Sequence, residues 1–234
     1  MIDLMRNKFF LLKILLLVLP CLSLAAAERT AGTDTLDVQR LFNGRAWKNL
    51  YYRIKGDQFL FSPDFIPGSV TIENTEYRNL KLKYDIYNDE IVTVTNHGIL
   101  LQMNKEMVDY FELTWNGRLY FFKRIDSDST SSLHGFANVL YEGRTQLYVK
   151  NIKEILLLAV DNKYDMFNQV NRIYMVKEGN TFRINSRMEF FRLIKDRKSD
   201  IRQFIRSNKI KVTKKDPDSF VPVLEYYDKI QQSK

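Results

Sequence analysis

Cysteine, histidine and glycine are all scarce in this 234-residue chain, and each scarcity removes a class of chemistry. Cys21 is the only cysteine, and it lies inside an N-terminal apolar run. Without that run the chain has neither disulfides nor thiols, so its stability must come from an ordinary apolar core. His97 and His134 are the only histidines, each without a second histidine or cysteine nearby in sequence, whereas a zinc site needs three or four such ligands. Nine glycines, mostly at turn-like positions, supply neither a phosphate-cradling loop nor a dinucleotide fingerprint, so no cofactor is implied. No G-x-S-x-G turn is present, and the serine-rich "DSDSTSSLHG" around His134 reads as a solvated connector. Its acidic start lacks the remaining ligands of a calcium loop.

Long apolar runs are scarce too. The longest, Ile14 to Leu24, follows Arg6, Lys8 and Lys13 and precedes Ala25-Ala26-Ala27, the pattern of a signal peptide over residues 1–27. Its 11 residues are too few for a bilayer core that needs about 20. Cys21 raises the alternative of lipoprotein cleavage, but Pro20 stands where that cleavage needs a small residue. Elsewhere "ILLLAV", Ile155 to Val160, is only six residues long, so no transmembrane segment is expected in the mature chain. Removing residues 1–27 takes three cations and Asp3, lowering the formal charge from +8 to +6. The remaining two hundred or so residues can build one large core. An exported protein of the periplasm or extracellular space is expected.

What the chain has in quantity is alternation. After a polar lead over residues 28–40, the dominant period from Leu41 to Ile184 is two. In "LKLKYDI", Leu80, Leu82, Tyr84 and Ile86 share one face while Lys81, Lys83 and Asp85 take the other, the mark of a half-buried antiparallel strand. Asn116-Gly117 between "FELTW" and "RLYFF" is the strongest hairpin signal, with Asn88-Asp89, Glu142-Gly143 and Gly179-Asn180 as further turns. Nine to eleven strands are expected over residues 41–184, as an antiparallel meander forming a curved sheet or partly closed barrel. The period then changes. Ser186 and Glu189 have capping-box spacing, and Phe190, Phe191, Ile194, Ile201, Phe204 and Ile205 fall at helical intervals. A further helix near Ser219 tolerates Pro222 in its first turn. The expected fold class is mainly β (α+β), with two or three helices in a basic region, 185–234, packed on the sheet.

The phrases "GSVTIENTEYRNLKLKYDIYNDEIV", "GFANVLYEGRTQLYVK" and "YMVKEGNTFRINSRMEFFRLIKDRKSDIRQFIRSNKI", in that order, resemble an uncharacterised family of exported, β-rich proteins of Bacteroidota. The resemblance covers about Leu41 to Lys229. It implies a bacterial, extracytoplasmic protein and carries over no activity or site residues.

Two functional features remain. Asp85, Asp89 and Glu90 bracket a turn, where acidic residues are expected for conformational reasons, although a carboxylate pair is all that a polymer hydrolase requires. Between Arg183 and Lys215 there are twelve Lys or Arg residues against Glu189, Asp196 and Asp200. Arg192, Lys195, Arg197, Lys198, Arg202 and Arg206 form a candidate anion-facing patch for an envelope surface, an acidic polysaccharide or an acidic protein. Nucleic acid fits the charge but not the compartment, and no aromatic-basic recognition motif accompanies it. The expected function is a non-enzymatic binding or assembly module, with a carboxylate-dependent hydrolase of envelope or extracellular polymers as the alternative. An outer-membrane barrel is a weaker option, since the strands lack a sustained lipid-facing band.

Overall fold

A computed structural model describes residues 39–126 and 132–232. The expected signal peptide, the lead before residue 39 and most of "DSDST" lie outside the described residues.

The body is one antiparallel sheet of eleven strands. In chain order they are β1 (Gly44–Ala46), β2 (Ile66–Ile72), β3 (Thr75–Asp85), β4 (Glu90–Val94), β5 (Leu100–Met103), β6 (Val108–Trp115), β7 (Arg118–Ile125), β8 (Gly135–Glu142), β9 (Thr145–Val160), β10 (Tyr164–Lys177) and β11 (Asn180–Ile184). Their order across the sheet is β1-β5-β4-β3-β2-β6-β7-β8-β9-β10-β11. From β6 onward this is a pure meander. The ladder does not close, so the sheet is curved rather than a barrel.

The hairpins follow from turn chemistry. Asn116 and Gly117 have φ of 50° and 74°, the left-handed pair that a type I′ turn needs. Glu73 and Asn74, at 48° and 66°, make a second turn of the same hand that the sequence does not announce, because Glu-Asn lacks glycine. It cuts the long alternating stretch between Gly68 and Asp85 into β2 and β3. The last hairpin turns at Glu178-Gly179, one residue earlier than its sequence suggests, with φ of 53° and 76°.

Register shows where the core lies. Directly opposed residues share a face, and one row runs Val70, Phe111, Phe122, Asn138, Val149, Ile173, Ile184 across seven strands. All seven are buried. At one end of the row, Tyr84, Phe111, Phe122 and Phe136 pack as an aromatic nest, with Phe111 stacked on Phe122 at 4.7 Å and Tyr84 edge-on to both. Leu82, Tyr84 and Ile86 are fully enclosed there, with Leu80 partly buried against them.

At the other end the row is covered by helices. Ser186 caps α1 (Arg187–Leu193) by accepting from the Glu189 N–H, while the Glu189 carboxylate reaches the Asn185 N–H. A short 3-10 turn leads into α2 (Lys198–Ser207), and a second leads into α3 (Val221–Gln232). Phe190, Ile194, Ile201, Phe220, Val223, Leu224 and Tyr227 pack on Leu147, Val149, Ile173, Met175 and Ile184. Asp228 pins α3 to the β8–β9 turn, accepting from the Thr145 N–H at 2.8 Å and from the Thr145 and Tyr141 hydroxyls at 3.1 Å.

Deleting a ring from the nest leaves a cavity that the rigid strands cannot fill. Phe111→Ala is expected to lower stability by about 3–5 kcal/mol. Leu119→Ala, on the outward face of β7, should change it by less than about 0.5 kcal/mol. Urea unfolding checks both, and equal losses would contradict the placement of the core.

Candidate functional site

The strongest cluster of ionisable groups surrounds Asp89, in the β3–β4 turn. Its carboxylate takes four donors: the Tyr84 hydroxyl at 2.5 Å, Lys150 Nζ at 2.7 Å, the Phe136 N–H at 3.3 Å, and Lys105 Nζ. Lys150 also donates to the Phe136 carbonyl at 2.8 Å. These groups come from β3, the segment after β5, β8 and β9, so the cluster spans the curl of the sheet. Close by, the Lys153 N–H donates to the Ile86 carbonyl, the main-chain contact between β9 and the end of β3. Gly135 (φ 68°) lets β8 approach, since a Cβ there would collide with the Asp89 carboxylate.

Burial alone would raise the Asp89 pKa, but Lys150 and Lys105 outweigh it and hold the carboxyl below its ordinary range. Burial pulls the Lys150 ammonium down against the attraction of Asp89, and pushes the Tyr84 phenol well up. Perturbed groups of this kind mark active sites or structural ion clusters. Here they are turned on one another, and the side chains of Lys150 and Asp89 are only 9% and 16% exposed. The arrangement is a clamp. No sequence signal joins Asp89 to a lysine 61 residues away, although a lysine inside the apolar stretch "QLYVKNI" is itself unusual.

The neighbouring carboxylates have separate fates. Asp85, expected on the face with Lys81 and Lys83, is fully buried and accepts from the Tyr87 and Asn88 N–H groups and the Asn88 amide. Burial raises its pKa, and those donors oppose the rise. Glu90 is more open, pairs with Arg45 at 3.3 Å, and borders a depression of about 320 Å³ with Trp47, Tyr51 and Gln102. Burial raises its pKa as well. Another trough, about 820 Å³, lies over β2, β3, β6, β7 and the end of β8, where Glu76, Glu112 and Glu142 each accept from a neighbour: Arg78, Ser69 and Lys123. His97 and His134 are both exposed, and among the described residues no group of three or more His, Cys, Asp or Glu could hold a metal ion.

The basic C-terminal residues divide. Arg197 turns toward α3 and donates to the Ile230 carbonyl at 3.4 Å. Arg192 is exposed near the end of α1, and Lys195 borders a depression with Lys177 and Asp196. Lys198, Arg202 and Arg206 stand four residues apart on α2, so they form one exposed row about 6 Å per step. Ser199, Gln203 and Ser207 run beside them along a groove of about 800 Å³. The opposite face of α2 is engaged in the core, with Phe204 stacked on Tyr226 at 4.1 Å. None of the three cations has an ion-pair partner among the described residues.

No family model, curated protein or solved structure matches the chain. Its surfaces therefore have to be read from their own chemistry.

Asn keeps the left-handed turn conformation at position 89 but removes the charge. At neutral pH, Asp89→Asn is expected to cost about 3–5 kcal/mol, because Lys150 is left charged and enclosed. The folded-state pKa of Asp89 is lowered, so its contribution is present above the unfolded value near 4 and is lost as pH falls through the folded one. The stability gap between wild type and variant should close as pH drops from about 5 to about 2 in urea titrations. A gap independent of pH would contradict the clamp.

Proposed function

We propose that the protein is an exported, non-catalytic binding and assembly module of the bacterial envelope, and that the α2 row of Lys198, Arg202 and Arg206 engages an acidic polysaccharide. One observation carries the reading: the row is unfavourable for the helix that bears it. Like charges four residues apart destabilise a helix by about 0.2–0.5 kcal/mol per pair, and Lys198 in the first turn opposes the helix dipole. Asp200 in the first turn and Arg206 in the last favour the dipole, but none of the three cations has an acidic ion-pair partner among the described residues. A fold needing only a solvated face would be served better by alternating signs. The exposed side of α2 is wholly polar and its apolar side is spent on the core, which favours a polymer laid along the helix over lipid insertion.

Export is supported by the N-terminal pattern and by the family resemblance. A carboxylate-pair hydrolase draws no comparable support, since Asp85 and Asp89 have their oxygens occupied by internal donors.

Attraction of this kind is Coulombic, with a screening length falling from about 10 Å at 0.1 M salt to about 3 Å at 1 M. The protein should bind immobilised polygalacturonate at low salt and elute well before 1 M. Lys198→Glu/Arg202→Glu/Arg206→Glu should weaken binding at least about a hundredfold, from the loss of three cations at roughly 1 kcal/mol each, with thermal stability nearly unchanged. Equal retention of both proteins would overturn the assignment. N-terminal sequencing of protein recovered from its producing cells should start near Glu28, and an intact Met1 would overturn export with cleavage.

A further inference from the structure

Beyond Val149 and Ile173 the long β9 and β10 strands leave their neighbours: the β8 ladder stops at Asn138–Val149 and the β11 ladder at Ile173–Ile184. The two strands continue together as an arm that turns at Asp161–Lys163. A strand with solvent on one side normally alternates. This one does not. Leu156, Leu157 and Leu158 are 41%, 75% and 56% exposed, and Tyr164 on the return strand is 47% exposed.

A second segment joins the arm. The Lys55 N–H donates to the Asp165 carbonyl, the Phe167 N–H donates to the Lys55 carbonyl, and Lys55 Nζ stands 4.7 Å over the Tyr164 ring. Leu156, Met166 and Lys55 thus form one row. The chain leading to Lys55 exposes Leu50 and Tyr52, each by more than 70%. Around these apolar groups stand Lys48, Arg53, Lys55 and Lys163, all exposed and without an ion pair among the described residues. Of the acids on the arm and the joined segment, Glu154 pairs with Arg172, Asp57 pairs with Lys153, and Asp165 accepts from the Leu158 N–H at 2.9 Å, which leaves Asp161 in the turn.

We infer that this arm anchors the protein in the interfacial layer of an anionic lipid bilayer, independently of the α2 row. Bare leucines, tyrosines and flanking unpaired cations are the composition that lipid interfaces select, with the leucines at the acyl boundary and the ammonium groups among headgroup phosphates. A second copy of the chain would cover the leucines only by bringing the same four cations together, whereas anionic headgroups supply the missing charge. Six apolar residues in a strand reach about 20 Å, short of a hydrocarbon core of about 30 Å, and the turn beyond them is polar. The arm therefore lies in the interface and does not cross.

The test places a reporter in the full chain. Leu157→Trp, read as the excess over the emission of the native tryptophans, should be quenched by vesicles of phosphatidylcholine and phosphatidylglycerol with brominated acyl chains. Leu119→Trp, on the exposed sheet face, should not. Adding Leu158→Glu to the reporter should weaken vesicle binding about tenfold, the worth of one buried leucine. Quenching should persist when Lys198, Arg202 and Arg206 are reversed. Absence of quenching at position 157, equal quenching at 119, or quenching untouched by Leu158→Glu would overturn the inference. A wild-type dimer that Leu158→Glu disperses in sedimentation would overturn it too, giving the leucines to a second copy.

Discussion

Asp89 sits where a sheet that its own ladder leaves open is drawn round on itself. Eleven strands hydrogen-bonded edge to edge define a ribbon, and the ribbon's twist gives it a curl, but neither decides how far the curl goes. The clamp does. One carboxylate from the β3–β4 turn meets ammonium groups from β9 and from the segment after β5, a phenol from β3 and an amide from β8. In an interior of low dielectric such a cluster is favourable only when every member has its partners, so it specifies one geometry and penalises looser ones. The aromatic nest beneath it is one part of a core that continues under the helices, and the clamp sets its shape.

That division explains where the molecule turns its chemistry. The most buried ionisable groups are spent on internal bonds: Asp89 with two lysines, Asp85 with its own turn, Tyr148 with Glu142 and Gln146. Groups without partners stand outside. The cations of α2 form a row on a helix whose other side is locked into the core. The leucines of the β9–β10 arm project beyond the sheet. On the two readings proposed above, unpaired charge at one site and bare apolar side chains at another would hold two different components of an envelope.

Much of the architecture could be read in the residues because it follows from local rules. Leu82, Tyr84 and Ile86 fell together on the buried face, and Asn116-Gly117 turned as its composition requires. Ser186 capped the first helix. The turn at Glu73-Asn74 escaped because it lacks the glycine of the usual type I′ pair, although Asn74 tolerates positive φ and the polar run Glu73 to Glu76 interrupts the alternation. Asp89 read as turn chemistry, and it does adopt the left-handed conformation, yet its carboxylate does something that turn statistics cannot contain. The clamp is a meeting of residues distant in sequence, and no spacing rule encodes it. The six-residue basic patch was legible as charge but not as geometry: only the helix phase reveals that Lys198, Arg202 and Arg206 align while Arg197 turns inward. "ILLLAV" was legible only as too short to span; that it would stand bare on an arm depends on where the β8 and β11 ladders stop.

The claim on which this account rests is that Asp89 and Lys150 act as one unit in closing the curl. A double-mutant cycle measures it directly, using urea unfolding of the wild type, Asp89→Asn, Lys150→Met and the double variant at neutral pH. If the clamp closes the sheet, the two losses will not add, and the coupling energy will be about 2–3 kcal/mol. Coupling below about 0.5 kcal/mol would show that the two residues contribute independently, and the account of the curl would be wrong.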